Sequence, residues 1–455
     1  MGQAQVIGLG RSGIAAAKLL QQNGWQVTLG DKATEQQLQS RSNSEELNSA
    51  KQNLEAAGIE VRLGYTPNLE SALPDLIVVS PGVPWDIPIL VAAREKGIDT
   101  IGELELAWRY LDTVPWIGVT GTNGKTTTTA LIAAIFKAAG LNAPACGNIG
   151  YAACELALAE TPDWVIAEMS SYQIESSLEL QPRIGIWTTF TPDHLARHKT
   201  LANYGAIKAS LLRRSRQQIF NADDPYLKQL DSSQWQNPYW TSVNSLDCQR
   251  ERQVTIQDAW VVAFGELILP ISLFKMPGIH NQHNLLMAVA AARLAGIEKK
   301  AIAEAITSFA GVPHRLELIC SYRGIKYIND SKATNYDAAQ VGLSSVAAPT
   351  ILIAGGQAKE GDDRAWIEQI KRSAAAVLLI GEAADTFAKR LHESDYKSYE
   401  IVETLENAVT RSVNLAEEKN AKVVLLSPAC ASFDRYLSFE HRGDRFRELC
   451  RELET

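Results

Sequence analysis

Short apolar runs alternate with longer amphipathic stretches from one end of the chain to the other. The strand-length runs are Val6–Gly8, Gln26–Leu29, Leu76–Ser80, Trp116–Thr120, Trp164–Glu168, Thr350–Ala354, Val377–Ile380 and Val423–Ser427. Helix-length stretches such as Thr126–Ala139 and Leu285–Leu294 lie between them. Such alternation predicts parallel sheets assembled from βαβ units, an α/β fold. The polar stretch Thr34–Asn53 reads as a loop with a surface helix, and no solenoid-period repeat or long low-complexity segment interrupts the pattern. Two breaks stand out: one near Thr100, after Ser80-Pro81-Gly82-Val83-Pro84 and the helix that follows, and one near Gly311-Val312-Pro313. They divide the chain into residues 1–100, 101–311 and 312–455, in keeping with a length that exceeds what one hydrophobic core spans.

Composition narrows the class. The chain is 46% hydrophobic and 21% charged, as soluble globular proteins are. A formal net charge of -8 without a basic stripe gives no support for a nucleic-acid partner. Six cysteines (Cys146, Cys154, Cys248, Cys320, Cys430, Cys450) make neither a disulfide framework nor zinc-ligand pairs, which suits a reducing cytosol. No run approaches the roughly 20 apolar residues of a membrane span, and no signal-like segment precedes the first strand. A cytoplasmic protein with no membrane partner is expected.

Two glycine-rich loops carry the chemistry. The first, Gly8-Leu9-Gly10-Arg11-Ser12-Gly13, follows a strand and opens a helix, and Asp31 ends the next strand where a ribose-binding acid is expected. Its physical content is close backbone approach to a diphosphate at a helix N-terminus, which serves a dinucleotide or a UDP-sugar equally. A tight strand–helix turn with no ligand is the plain structural alternative. The second loop is Gly121-Thr122-Asn123-Gly124-Lys125-Thr126-Thr127, after the strand Trp116–Thr120. Its backbone amides would cradle phosphates, with Lys125 reaching the β- and γ-phosphates and Thr126 offering a hydroxyl to Mg²⁺. Val119 stands where the first glycine of an ordinary P-loop belongs, which points to a specialised subfamily. One phosphate loop after another suggests two phosphate-bearing substrates on two domains.

Further motifs follow in order: Gly147-Asn148-Ile149-Gly150, Glu168-Met169-Ser170-Ser171-Tyr172-Gln173, Asp193-His194, Tyr204-Gly205-Ala206-Ile207-Lys208 and His280-Asn281-Gln282-His283-Asn284. Pro313-His314-Arg315, Asn329-Asp330-Ser331-Lys332-Ala333-Thr334-Asn335 and Ser427-Pro428-Ala429-Cys430-Ala431-Ser432-Phe433-Asp434 complete the series. With the second glycine loop they resemble the Mur ligases, the ATP-dependent amide-bond ligases of cell-wall precursor synthesis, and most of all the D-glutamate-adding branch. The similarity runs from the first glycine loop to Phe446.

The resemblance implies three α/β domains: an N-terminal Rossmann-like domain, a central P-loop ATPase-like parallel sheet and a C-terminal Rossmann-like domain. It implies a monomer whose substrates are UDP-N-acetylmuramoyl-L-alanine, D-glutamate and ATP, with Mg²⁺ required. ATP would phosphorylate the alanine carboxylate, and the amine of D-glutamate would displace phosphate from the acyl phosphate. Crowded negative charge then sets the task, and electrostatic clamping is the means.

By resemblance Lys125, Lys208 and His194 act in catalysis, and Thr126, Glu168, His194 and a carbamylated Lys208 position metal. Gly121, Thr122, Asn123, Gly124, Lys125, Thr126, Thr127, Asn281, Asn284, Arg315 and Asp330 face the nucleotide. Arg11, Ser12, Asp31, Ser80, Gly82, Asn148 and Gln173 surround the UDP-sugar. Lys332, Thr334, Lys359, Ser432, Phe433 and Phe439 line the D-glutamate pocket. Read alone, Lys208 is a snorkelling surface lysine, His194 a structural histidine, Glu168 a solvated strand-end carboxylate, and Thr334 and Ser432 ordinary caps. Two departures stand out: Arg11 replaces an apolar residue, and Arg364 breaks the usual pattern after Lys359. An NAD-dependent oxidoreductase would leave the ATP loop idle, and a P-loop switch would leave the first loop idle. Folylpolyglutamate synthase lacks this kind of N-terminal domain, and the Asp-Asn-Pro-Arg motif of the diaminopimelate-adding ligase is absent.

Overall fold

The computed structural model describes residues 2–39, 44–67, 69, 73–244, 250–358 and 361–453. They form three α/β sheets in two compact units: Met1–Phe274 with His283–Phe309, and Lys275–Gln282 with Ala310–Thr455.

The first unit holds two sheets. One has five parallel strands in the order Glu60–Leu63, Gln26–Asp31, Gln3–Ile7, Leu76–Val79, Asp99–Gly102. Connections run outward in opposite directions from Gln3–Ile7 and Leu76–Val79, so a crevice opens beyond their carboxyl ends. Gly13 is required there: a Cβ would lie 2.0 Å from the Gly8 carbonyl oxygen, where helix Arg11–Gln22 meets its strand. The nine-stranded sheet runs Glu266–Pro270, Trp260–Ala263, Gln253–Gln257, Pro238–Ser242, Gln217–Asn221, Ile184–Trp187, Trp116–Thr120, Val165–Glu168, Ala145–Gly147. Its central strands are buried along their whole length, as apolar runs covered on both faces must be. One apolar core passes without interruption from the helices of the first sheet to those of the second, from Leu20 and Leu104 to Trp187 and Leu211.

The central sheet is not wholly parallel, contrary to the pattern of apolar runs. Gln253–Gln257, Trp260–Ala263 and Glu266–Pro270 form an antiparallel meander. Type I′ hairpin turns need positive φ at both central positions, and Asp258-Ala259 (48° and 62°) and Phe264-Gly265 (55° and 85°) supply it. Neither pair is a strong turn signal, so the strands they join do not announce themselves.

The second unit carries a six-stranded sheet: Glu317–Tyr322, Ile325–Asn329, Val423–Leu426, Thr350–Gly355, Ala374–Ile380, Tyr399–Glu403. All neighbours are parallel except the first hairpin, which turns at Arg323-Gly324. Separate apolar clusters cover its two faces, one around Trp366 and Phe387, the other around Tyr327 and Phe446.

Candidate active site

In the first unit, a cleft of about 710 Å³ opens at the crevice of the five-stranded sheet. Arg11, Ser12, Asp31, Ser80, Gly82, Asn148 and Gln173 all line it, so the structure brings together every residue expected around the UDP-sugar. Asp31 has a structural task as well. Its carboxylate accepts the amides of Leu9 at 2.7 Å and Ala33 at 2.8 Å, which fixes the glycine loop against the second strand. The Ser80 hydroxyl donates to the Gly8 carbonyl at 3.1 Å. Gln173 completes a capping box with Ser170 at the start of helix Ser171–Glu175 while it borders the cleft.

The phosphate loop lies between strand Trp116–Thr120 and helix Lys125–Ala138, with Gly121 and Gly124 at positive φ of 148° and 84°. A Cβ on Gly124 would meet the Asn284 side-chain oxygen at 2.5 Å, and that oxygen also accepts the Thr128 hydroxyl at 3.3 Å. A segment that sequence reasoning passed over clasps the loop from the neighbouring strand end. Thr189 accepts the amides of Thr122 (through its carbonyl) and Asn123 (through its hydroxyl), each at 2.9 Å. The Thr188 hydroxyl donates to the Asn123 carbonyl, and the Thr122 hydroxyl to the Thr191 carbonyl. Lys125 folds back on the loop and donates to the carbonyls of Gly121 and Thr122, both at 2.8 Å.

The next strand, Val165–Glu168, pairs with the loop strand so that Glu168 stands opposite Val119. One Glu168 oxygen accepts the Asn148 side-chain amide at 2.7 Å; the other is buried with no hydrogen-bond partner. Leaving such an oxygen bare costs about 1–3 kcal/mol, which a bound cation would recover. Lys208, on helix Leu201–Arg214, is 1% exposed and donates to the Gly121 carbonyl at 2.8 Å and the Thr120 hydroxyl at 3.4 Å. The amines of Lys125 and Lys208 therefore share one acceptor. Burial pushes the Lys208 amine well below the ordinary lysine value, and the neighbouring Lys125 charge adds to the push, against Asp193 and Glu168.

His194 is more exposed and sits in the left-handed region, φ 55°, an uncommon and costly conformation for a non-glycine residue. The Tyr172 hydroxyl lies 3.2 Å from its Nδ1. From there a ring stack continues: Tyr172 on His198 at 5.4 Å, His198 on Tyr204 at 5.3 Å, and the Lys208 amine over the Tyr204 ring at 4.6 Å. His198 is buried, lies 2.8 Å from the Ser171 hydroxyl and is held neutral, its pKa pushed down to about 4 by burial. Tyr172 and Tyr204 fall inside legible motifs; His198 carries no signal of its own. Among the described residues no group of three or more His, Cys, Asp or Glu side chains could hold a metal.

In the second unit, the loops after three adjacent strands meet. Asp330 is buried, accepts the Ser427 hydroxyl at 2.8 Å, and is pushed up to about 7 by burial, with Arg315 opposing. The Lys332 amine rests 3.7 Å from the centre of the Phe439 ring. Ser432 is buried and accepts the Tyr436 amide through its carbonyl at 2.8 Å, whereas Phe433 is 69% exposed. The Thr334 amide donates to the Lys332 carbonyl at 2.9 Å. The Asn281 side chain donates to the Pro277 carbonyl at 2.6 Å. Lys359 lies outside the described residues.

Residues 119–292 match the family model "Mur ligase middle domain", residues 314–430 "Mur ligase, glutamate ligase domain", and residues 2–102 "Mur ligase MurD-like, N-terminal domain". The chain is 69% identical to the UDP-N-acetylmuramoylalanine--D-glutamate ligase of Gloeothece citriformis, covering 100% of both. It is 62% identical to the enzyme of that name from Synechocystis, covering 99% of both. The solved Thermotoga maritima UDP-N-acetylmuramate-alanine ligase superposes with a TM-score of 0.59 at 19% identity, covering 99% of this chain and 100% of that one. Mycobacterium tuberculosis folylpolyglutamate synthase gives 0.60 at 12%, covering 75% and 93%. At such identities the two structures speak for the fold alone.

Proposed function

The chain belongs to the Mur ligase family, and from that premise we infer its reaction: ATP-dependent formation of an amide bond between UDP-N-acetylmuramoyl-L-alanine and D-glutamate, in peptidoglycan precursor synthesis. One observation carries the reading down to the chemistry. Three neighbouring strands of the central sheet end in the phosphate loop, in Glu168 and in the Thr188–Thr191 clasp, with Lys208 buried against the loop.

The steps assign work to named residues. Residues 1–100, with Asn148 and Gln173, hold the UDP-sugar in the 710 Å³ cleft, a size suited to a nucleotide ligand. Residues 101–311 bind ATP, with loop amides around the phosphates. Lys125 exchanges the Gly121 and Thr122 carbonyls for phosphate oxygens and neutralises the transferring group. Residues 312–455 bring D-glutamate, with Lys332, Thr334, Ser432 and Phe439 at its pocket and Arg315 and Asp330 toward the nucleotide. The glutamate amine attacks the acyl phosphate, and phosphate leaves.

The bare Glu168 oxygen and the Thr126 hydroxyl fit a hard divalent cation such as Mg²⁺, and His194 and Lys208 stand as further positioning groups. Such a cation would supply neutralisation of phosphate charge and polarisation of the acyl phosphate. Lys208 serves as its carbamate: the neutral amine adds to carbon dioxide and releases a proton, turning a cation into a carboxylate-like group. ATP as co-substrate places the reaction in the cytoplasm in our reading. In our reading the enzyme acts as a monomer; no helix among the described residues is long and apolar enough to cross a membrane.

Phosphate release tests the proposal. With ATP present, release should require both the UDP-sugar peptide and D-glutamate, and L-alanine or L-lysine should not replace D-glutamate. Release with neither acceptor would mean an NTPase instead.

A further inference from the structure

Arg442 lies in the first turns of helix Phe439–Glu452 and is 1% exposed. Its guanidinium donates from Nε to the Ser331 hydroxyl at 3.0 Å and from Nη1 to the Ala431 carbonyl at 3.2 Å. Nη2 donates to the carbonyls of Ser331 at 2.9 Å and Cys430 at 3.0 Å. Every one of these acceptors is neutral, and Asp434 acts on it only through space. Buried charges are normally paired. The helix makes matters worse, because a cation near a helix N-terminus opposes the macrodipole. Burial pushes the group down to about 10, which leaves it charged at neutral pH.

The fork's partners explain what the cation is for. Ser331 belongs to the loop after strand Ile325–Asn329, and Cys430 and Ala431 to the loop after Val423–Leu426. Gly356, from a third loop, approaches so closely that a Cβ would lie 3.0 Å from Nη1. One planar group thus ties together the loops that carry Lys332, Thr334 and Ser432.

We propose that Arg442 is a positioning residue for the incoming amino acid: it holds the Ser331 and Cys430–Ala431 loops in register and gives their pocket a fixed positive charge that selects a dicarboxylate. The claim rests on the reading that these loops receive D-glutamate. A guanidinium with no carboxylate among its hydrogen-bond acceptors leaves part of its electrostatic attraction available to a substrate anion. Lysine could supply the charge but not the fork; glutamine could supply part of the bonding but no charge.

The test uses the full chain with Arg442→Lys and Arg442→Gln, reading KM for each of the three substrates and Tm. For Arg442→Gln the KM for D-glutamate should rise about tenfold or more, while those for ATP and the UDP-sugar peptide stay within about twofold. Arg442→Lys, which keeps the charge but loses the fork, should raise the D-glutamate KM by less than Arg442→Gln does, about threefold, with the other two KM values unchanged. Equal rises in both variants, or a common rise for all three substrates, would overturn the charge role. If the glutamine variant fails to fold, the lysine variant decides alone: a rise confined to D-glutamate supports the proposal, and an unchanged KM or a common rise for all three substrates overturns it. A parent enzyme that does not turn over D-glutamate would sink the underlying reading instead.

Discussion

Lys208, on helix Leu201–Arg214 of the first unit, and Arg442, on helix Phe439–Glu452 of the second, face the same physical problem and meet it in opposite ways. Each is 1% exposed, and each donates only to carbonyls and hydroxyls. Burial disfavours the charged form of both. A lysine can yield, since its compact ammonium sheds a proton readily, and a second cation, Lys125, shares its carbonyl acceptor. An arginine cannot yield, so its charge persists and is spread over four hydrogen bonds. Side-chain type therefore decides whether burial creates a reactive amine or stores a positive charge. The first suits the carbamate proposed at Lys208; the second suits the substrate anion proposed to lie near Arg442.

The sharpest way to break this contrast is to exchange the residue types. Lys208→Arg keeps a cation in place but removes the neutral amine, and turnover should fall by about a thousandfold, near 4 kcal/mol of barrier. Lys208→Ala should fall as far and recover in part when short carboxylic acids are added. Turnover close to the parent's in the arginine variant, measured by phosphate release, would show that charge alone is wanted at this position.

Much of the frame that places these two groups is written locally. Strand Trp116–Thr120 matches its expected bounds residue for residue, and the first glycine loop stands between a strand and a helix as expected, packed so closely that Gly13 admits no Cβ. Apolar runs bounded by turns suffice for strands that are buried on both faces. The meander after Gln253 was illegible because Asp258-Ala259 and Phe264-Gly265 are weak turn signals. The Thr188–Thr191 clasp bonds to residues some 65 positions earlier, and the Arg442 fork reaches 111 positions back to Ser331. Neither the window of a helix nor that of a hairpin contains such pairs. His198 is quieter still: its role comes from rings stacked on both sides, which only the folded chain assembles.

A buried carboxyl extends the comparison to the opposite sign. Glu103 is 1% exposed; one oxygen accepts the Cys154 amide at 2.6 Å, the other has no partner, and burial pushes its pKa up to about 7. The native state then holds this proton more tightly than the unfolded chain does. The stabilisation is complete below the unfolded value and is lost as pH rises through about 7. Glu103→Gln should remove that dependence, with a gain at pH 8 that exceeds its gain at pH 5 by about 2 kcal/mol. Thermal unfolding at the two pH values measures it. The same gain at both would mean the carboxyl ionises freely in the fold.

The smallest effect separates the two acceptors of Lys208. Its bond to the Gly121 carbonyl is 2.8 Å and that to the Thr120 hydroxyl 3.4 Å, while the hydroxyl itself donates to the Met169 carbonyl at 3.0 Å. Thr120→Val conserves shape, keeps the short bond, and strips one donor from a buried carbonyl. Stability should fall by about 1 kcal/mol. Turnover should fall only about threefold, because a neutral amine needs no second oxygen to stay buried. Were Thr120→Val instead as damaging to turnover as Lys208→Arg, at an equal Tm, the hydroxyl would be holding an ammonium in place. Lys208 would then resemble Arg442 after all, a cation kept rather than an amine released.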